Sequence, residues 1–162
     1  MINLVKLTGG ILVAAAFSQF PEYSAQYVQR MGGALDELAT VVVDFDTSAN
    51  ASGYTRKQAL SVMTGSEFLE ARQSDMTRTF NRYDKLSSDY TRLKNANAFS
   101  RLAYVARMRD GEIANGTAKD FKPAVPLTFE GAGFVGIGFL MGYSLFAGLL
   151  HMIRRPRKKV EL

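Results

Sequence analysis

The 162-residue chain has no cysteine and no tryptophan, and His151 is its single histidine. Without cysteine the protein forms neither disulfides nor thiolate metal sites, and a single histidine excludes any site that needs two. The lack of disulfides does not identify the compartment, because many proteins on the oxidising side of a membrane have none.

The middle of the chain also has almost no net charge. Residues 21–126 contain 14 Lys and Arg against 13 Asp and Glu, whereas five of the 20 basic residues lie in the last nine positions. A folded nucleic-acid-binding domain normally presents a basic face, so we expect no nucleic-acid partner. Basic residues that follow a membrane helix instead attract anionic lipid headgroups.

The longest run without Asp, Glu, Lys or Arg is Gly131 to Ile153, which has 23 residues. As a helix it would be about 34 Å long, enough to cross a hydrocarbon core of about 30 Å. The basic cluster behind it marks its cytoplasmic end. We predict a transmembrane helix over 127–153 and a basic cytoplasmic tail over 154–162. The tail residues expected to contact lipid headgroups are Arg154, Arg155, Arg157, Lys158 and Lys159.

The first 20 residues allow two interpretations. A basic Lys6, an apolar stretch and three successive alanines follow the order of a cleavable signal peptide. In a transmembrane anchor, Lys6 would extend to the cytoplasmic surface. Gly10, Ala14 and Ser18 have the four-residue spacing that lets membrane helices approach closely, and we favour an anchor over residues 1–20. Both termini are then cytoplasmic, and residues 21–126 form a domain in the periplasm of a Gram-negative bacterium.

Glycine is concentrated in the last apolar segment, where six of the 14 glycines lie between 131 and 148. At 100° per residue, small residues line one edge of this helix and also a second, broader face. Two such surfaces indicate two helix partners. The alternative is that this spacing of glycines arises by chance, because glycine is common in membrane helices. The edge contains Gly131, Gly138 and Gly142, and the face contains Ala132, Gly133, Gly136, Ser144 and Ala147. The predicted helix-packing residues are Gly10, Ala14, Ser18, Gly131, Gly136, Gly138 and Gly142.

The middle region has helical periodicity and no sustained strand alternation. Apolar residues recur every three or four positions from Tyr27 to Phe45, and they follow heptads typical of a coiled coil from Leu69 to Leu93. Thr55 with Gln58 predicts a capping box, and Ser66 predicts the cap of the next helix. A shorter third helix is expected from Ala98 to about Arg109. The predicted fold is therefore all-α, with two transmembrane helices flanking an extramembrane antiparallel helical hairpin and its shorter third helix.

No catalytic constellation is evident. Catalysis needs a nucleophile with a base, paired acids in a cleft, or metal ligands, and the single histidine lies at the end of a membrane segment. Asp44 and Asp46 could approach a cation, but further oxygen ligands are missing nearby. We expect no catalytic residues, no metal, no cofactor and no enzymatic activity.

Several short motifs are informative when they are taken together. They are Ser18–Glu22, Gln26–Tyr27, Arg30–Leu38, Val43–Asp46, Asp120–Thr128 and Glu130–Gly131. These motifs resemble an uncharacterised family of small two-transmembrane proteobacterial inner-membrane proteins, a domain of unknown function. The resemblance covers nearly the full chain and implies two membrane helices around a helical domain, with no established activity.

These observations favour a non-catalytic accessory or scaffold subunit of an inner-membrane complex, with membrane lipids and other subunits, or copies of itself, as partners. The alternative is a self-assembling homo-oligomeric channel or membrane-organising ring. A channel needs a polar stripe, for which Thr128, Tyr143 and Ser144 are the available side chains. A two-helix sensor is a third hypothesis, and its nine-residue tail would require a partner to carry the output.

Overall fold

The computed structural model describes residues 2–125 and 127–154, with side chains described for 3–125 and 127–153. Every regular element among these residues is helical and no strand is found there, which confirms the all-α prediction. The elements are α1 (Ile2–Ser18), α2 (Phe20–Ala51), α3 (Arg56–Ser61), α4 (Glu67–Lys94), α5 (Ala98–Ala103), a 3-10 turn (Val105–Arg107), α6 (Gly111–Lys119) and α7 (Phe129–Arg154).

The chain divides into two compact units. One combines Met1–Ser24 with Phe121–Leu162, and the other is Ala25–Asp120. By length and hydropathy, a stretch within Asn3–Ala51 and the helix Phe129–Ile153 are apolar enough to cross a membrane. The structure therefore agrees with the prediction that one such segment lies towards each end of the chain.

Helix α2 is longer and more regular than its sequence suggests. Pro21 occupies the first turn, where its missing N–H costs no helical hydrogen bond. The helix continues without a break through Gly32 and Gly33, although glycine is unfavourable inside a helix. It ends at Ala51, before Gly53 adopts a φ of 79° that favours glycine.

The predicted capping residues around α3 and α4 are confirmed. The Thr55 backbone N–H donates to the Gln58 side-chain oxygen at 2.9 Å, and the Gln58 backbone N–H donates back to the Thr55 hydroxyl at 3.4 Å. The Ser66 hydroxyl accepts the N–H of Leu69 at 3.3 Å and so begins α4, which ends at Lys94. Since each capping side chain satisfies an N–H that the first helical turn leaves unpaired, these short motifs specify where both helices begin.

Two clusters of buried side chains hold the second unit together. The Phe45 ring meets the Phe80 ring edge-on with centroids 5.1 Å apart, and Gly32 lies under the ring of Tyr90. Complete burial of a large apolar side chain is worth about 1.5–3 kcal/mol, so these few residues dominate the stability of the unit. The first cluster contains Tyr27, Val28 and Met31 of α2, Leu86 and Leu93 of α4, and Ile113 of α6, and the second contains Val42, Met76 and Phe80.

The prediction of one helix from Ala98 to about Arg109 was wrong in its extent. Helix α5 ends at Ala103, and the following 3-10 turn brings Arg107 to Asp89 of α4. Helix α6 was not predicted, and it includes two residues that disfavour helices, Gly111 and Gly116. Asp110 begins it by accepting the N–H of Ile113 at 3.1 Å.

Candidate functional site: an interface of small residues

The small residues predicted on α1 lie along its buried side. Gly10, Ala14 and Ser18 are all buried. Successive steps of four residues rotate by only about 40°, so the three form a narrow stripe. The Ser18 hydroxyl is satisfied within its own helix, since it donates to the Ala15 carbonyl at 2.7 Å.

Two of the predicted glycines on α7 form the facing edge. A Cβ added at Gly138 would lie 2.7 Å from the Phe17 Cβ and 2.9 Å from the Ala14 Cα. A Cβ added at Gly142 would lie 2.8 Å from the carbonyl oxygen of Gly9. Real Cβ atoms essentially never approach other atoms this closely, so the packing requires glycine at both positions.

Glycines of α1 are in turn covered by phenylalanines of α7. Phe139 covers Gly10, where an added Cβ would lie 2.8 Å from the ring, and Phe146 covers Gly9. Because lipid tails are as apolar as leucine, membrane helices associate by close packing of this kind rather than by the hydrophobic effect. We call the contact made by α1 with α7 the α1–α7 interface.

Aromatic and amide contacts close one end of the α1–α7 interface. The Phe20 ring stacks on Phe134 with centroids 5.4 Å apart, and Phe134 is fully buried. The Gln19 amide group donates to the Ala124 carbonyl and accepts the Ala124 N–H, each at 3.2 Å. Since Gly9 lies beside Phe146 while Phe20 lies beside Phe134, α1 and α7 run antiparallel.

The opposite face of α7 is open within the described chain. No atom lies within 4 Å of a Cβ built on Gly136, which lies about 160° around the helix from Gly138. Its neighbours Ala132 and Ser144 are exposed, and Gly133 and Ala147 are half-buried. Gly136 was predicted in a packing interface, and the structure places it outside the one that the chain makes with itself.

The remaining predicted residues lie at the ends of α7. Gly131 is buried, and its N–H donates to the Thr128 hydroxyl at 3.0 Å. Arg154 ends α7, but its side chain and the predicted lipid-contacting residues Arg155, Arg157, Lys158 and Lys159 lie outside the described residues.

Lys6 is the only charged residue of α1. It is half-buried, and its ammonium nitrogen lies 5.9 Å from the centroid of the Tyr143 ring on α7. A cation within about 6 Å of an aromatic face is attracted by the ring electrons. The side chain expected to extend to the membrane surface therefore also contacts the second apolar helix.

Charged groups of the second unit connect its helices. Arg82 donates from Nε and Nη2 to the two carboxylate oxygens of Asp110, both at 3.2 Å, and its Nη1 lies 2.6 Å from Glu112. Burial disfavours the charged form of Arg82, but its ion pairs with Asp110 and Glu112 outweigh this effect and raise its pKa. Arg107 pairs with the buried Asp89 at 2.7 Å. These pairs attach α6 and the 3-10 turn to α4.

A second set of charges connects α3 to α2 and α4. Arg56 forms a two-pronged ion pair with Asp46, in which its Nε lies 2.7 Å from Oδ1, and its guanidinium lies 4.7 Å from the Phe80 ring centroid. The hydrogen bond from Arg56 lowers the pKa of Asp46 below its usual 3.8. Asp46, at which no metal site was predicted because further oxygen ligands are missing nearby, binds a guanidinium. Over residues 2–125 and 127–154, no group of three or more His, Asp or Glu is arranged to hold a metal ion.

These long-range pairs were missed in the sequence. Arg30 pairs with Asp120 ninety positions away, and its side chain crosses Gly116, where a Cβ would lie 2.6 Å from its Nη1. Spacing along the chain contains no signal for such a pair. The start of α6 did have a local signal, because Asp110 followed by Gly111 and Glu112 is typical of a helix N-terminus.

Comparison with known proteins identifies the family and nothing beyond it. No curated protein and no solved structure matches the chain. The family described as Protein of unknown function (DUF2937) matches residues 1–159. This match confirms the resemblance to an uncharacterised family, and the chain belongs to that family.

Proposed function

We propose that the protein is a non-catalytic accessory or scaffold subunit of a bacterial inner-membrane protein complex. One observation carries this proposal: α7 has small residues on two sides, and the described residues of the chain cover only one of them. Gly138 and Gly142 are used by α1, whereas the face that contains Gly136 has no contact within 4 Å at that glycine. A helix face that allows close backbone approach is suited to a second membrane helix.

The proposed topology has α1 and α7 in the membrane, both termini in the cytoplasm and the central domain in the periplasm. Two apolar helices of sufficient length support it. The excess of Lys and Arg after Ile153 supports the direction, since such clusters remain on the cytoplasmic side. Attraction of this tail to anionic headgroups is part of the same proposal.

In the central domain, we propose that α2 and α4 form an antiparallel hairpin with coiled-coil-like packing. The order of their shared buried residues supports it. Tyr27, near the start of α2, clusters with Leu93 at the end of α4, and Val42, further along α2, clusters with Met76, earlier in α4. Such a hairpin gives an accessory subunit a long surface for a partner or a second copy.

A role without catalysis fits the chemistry of the described residues. The buried carboxylate of Asp89 is neutralised by Arg107, and Asp110 is held by Arg82. In an active site, an acid or base would instead be expected beside a pocket with its charge available to a substrate. These charges are used to fasten helices together.

The test is purification of the full chain from native membranes in mild detergent, followed by native mass measurement and identification of the proteins that co-purify. The accessory role predicts a particle that contains other membrane proteins in fixed stoichiometry. A particle made of this chain alone would contradict it and favour the self-assembling ring. Conductance of that particle in a reconstituted bilayer would then separate a channel from a membrane-organising ring.

A further inference from the structure

An apolar cleft lies where the end of α2 meets α3 and the residues after it. Its volume is about 260 Å³, and none of the side chains that line it is charged. The walls include Phe45, Ala49, Ala59 and Met63, with Ser48 and Ser52 on the α2 side. A neutral, mainly apolar cleft of this size suits an uncharged apolar group.

The same unit exposes an apolar aromatic side chain that suits this cleft. Phe68, in the first turn of α4, has 77% of its surface exposed. It is therefore not inserted into the cleft of its own chain. A cavity of about 150 Å³ lined by apolar side chains is large enough to bind benzene. The phenyl ring of Phe68 is consequently small enough for the cleft.

Charges beside the two features are complementary. Arg72 follows Phe68 by one helical turn, and Asp44 precedes Ser48 of the cleft by one turn. Both are exposed. A chain that inserted Phe68 into the cleft of another would bring its Arg72 towards the exposed carboxylate of Asp44, and this opposite-charge pair favours the register.

We propose that a second copy of this chain docks here, with Phe68 of each copy in the cleft of the other. A contact between identical surfaces repeats itself about a two-fold axis, so both clefts are filled and the association closes at two copies. An aromatic side chain in a pocket, surrounded by polar residues, is the usual anchor of a protein interface. The contact is independent of the face of α7 assigned above, and either can exist without the other.

The absence of cysteine makes the contact directly testable. Two full-length chains with different tags are expressed together, one with Phe68→Cys and the other with Ser52→Cys, and membranes are treated with a mild oxidant. A disulfide needs Cα atoms within about 7 Å, so a cross-linked pair that carries both tags is expected, in up to about half of the chains, which is the share that random pairing of the two forms places in mixed dimers. Val105→Cys replaces Phe68→Cys in the control, because Val105 is also an exposed apolar residue of this unit.

Equal cross-linking with Phe68→Cys and Val105→Cys, or none with either, would overturn the proposal. A charge exchange gives a second test on chains that retain Phe68. Asp44→Arg and Arg72→Asp should each lower the dimer fraction of the purified full chain several-fold, and the double variant should restore it. Failure of the double variant to exceed both single variants would also count against this register.

Discussion

Gly142 of α7 packs directly on the backbone of α1, where a Cβ would come within 2.8 Å of the Gly9 carbonyl oxygen. The contact explains why glycine is needed on this edge of α7. A larger side chain at Gly142 would first separate two helices of the same chain, and only indirectly affect another subunit.

We therefore predict that Gly142→Leu destabilises the protein. Overpacking typically costs about 1–3 kcal/mol, and each kcal/mol lowers the melting temperature by about 2–4 °C for a chain of this size. The measurement is the temperature at which the detergent-purified protein unfolds. Gly148→Leu is the matched control, because nothing in the described part of the chain packs within 4 Å of a Cβ at Gly148. An equal loss in both variants would contradict the interface.

Arg56→Ala should destabilise the helical domain by about 1–2 kcal/mol, since it removes a two-pronged ion pair with Asp46 and a cation–π contact with Phe80. Thermal unfolding followed by circular dichroism measures the loss. Lys57→Ala provides the comparison, because Lys57 is the exposed neighbour in the same helix. We expect its effect to stay within about 0.5 kcal/mol, and a similar loss in both would show that Arg56 has no special role.

The ion pair of Arg56 with Asp46 also predicts that the stability of the folded state depends on pH. The hydrogen bond from Arg56 lowers the pKa of Asp46, so this carboxylate favours the folded state when ionised. Its contribution is fully present above pH 3.8, the ordinary value, and is lost as the pH falls through the lower folded-state pKa. Stability measured from pH 6 downwards should fall less steeply below pH 4 in Asp46→Asn. Identical slopes in the two proteins would contradict the assignment.

Asp110→Ala should loosen α6 selectively. The variant loses the helix cap, worth about 1 kcal/mol, and leaves half-buried Arg82 with Glu112 as its remaining partner. Hydrogen exchange at the amides of residues 114–119 should accelerate by about tenfold relative to α4. Asp75→Ala removes an exposed pair with Arg78 and should leave α6 unchanged.

Topology is accessible to labelling because the native chain has no cysteine. Ser74→Cys lies on an exposed position of α4, and we expect a membrane-impermeant thiol reagent to reach it once the outer membrane is permeabilised. Glu161→Cys, in the basic tail, should react only after the inner membrane is disrupted. Immediate labelling of Glu161→Cys, or protection of Ser74→Cys, would reverse the proposed orientation.

Local signals in the sequence predicted the parts of the fold that short segments determine. Thr55 and Ser66 cap their helices as expected, and the small-residue stripe of Gly10, Ala14 and Ser18 is buried. Each prediction depended on residues within a turn or two of each other, where helix geometry alone fixes the neighbours.

The errors arose where distant residues decide local structure. Gly116 lies inside α6, a helix that the sequence did not predict, and the Arg30 side chain lies across it. The segment after α5 turns to bring Arg107 to Asp89, a pair eighteen positions apart. Helix periodicity shows which glycines of α7 share a face. What packs on each face depends on how separate helices are arranged.

The central claim is that the Gly136 face of α7 binds another membrane chain, and the mass of the complex tests it most directly. Native mass should be compared for the wild type, Gly136→Leu and Gly148→Leu, all purified from native membranes in mild detergent. Neither glycine has a described residue packed against it, but the two lie about 120° apart around α7. We predict that Gly136→Leu releases the partner while Gly148→Leu retains it. An unchanged complex in Gly136→Leu would mean that this face contacts lipid, and would contradict the account.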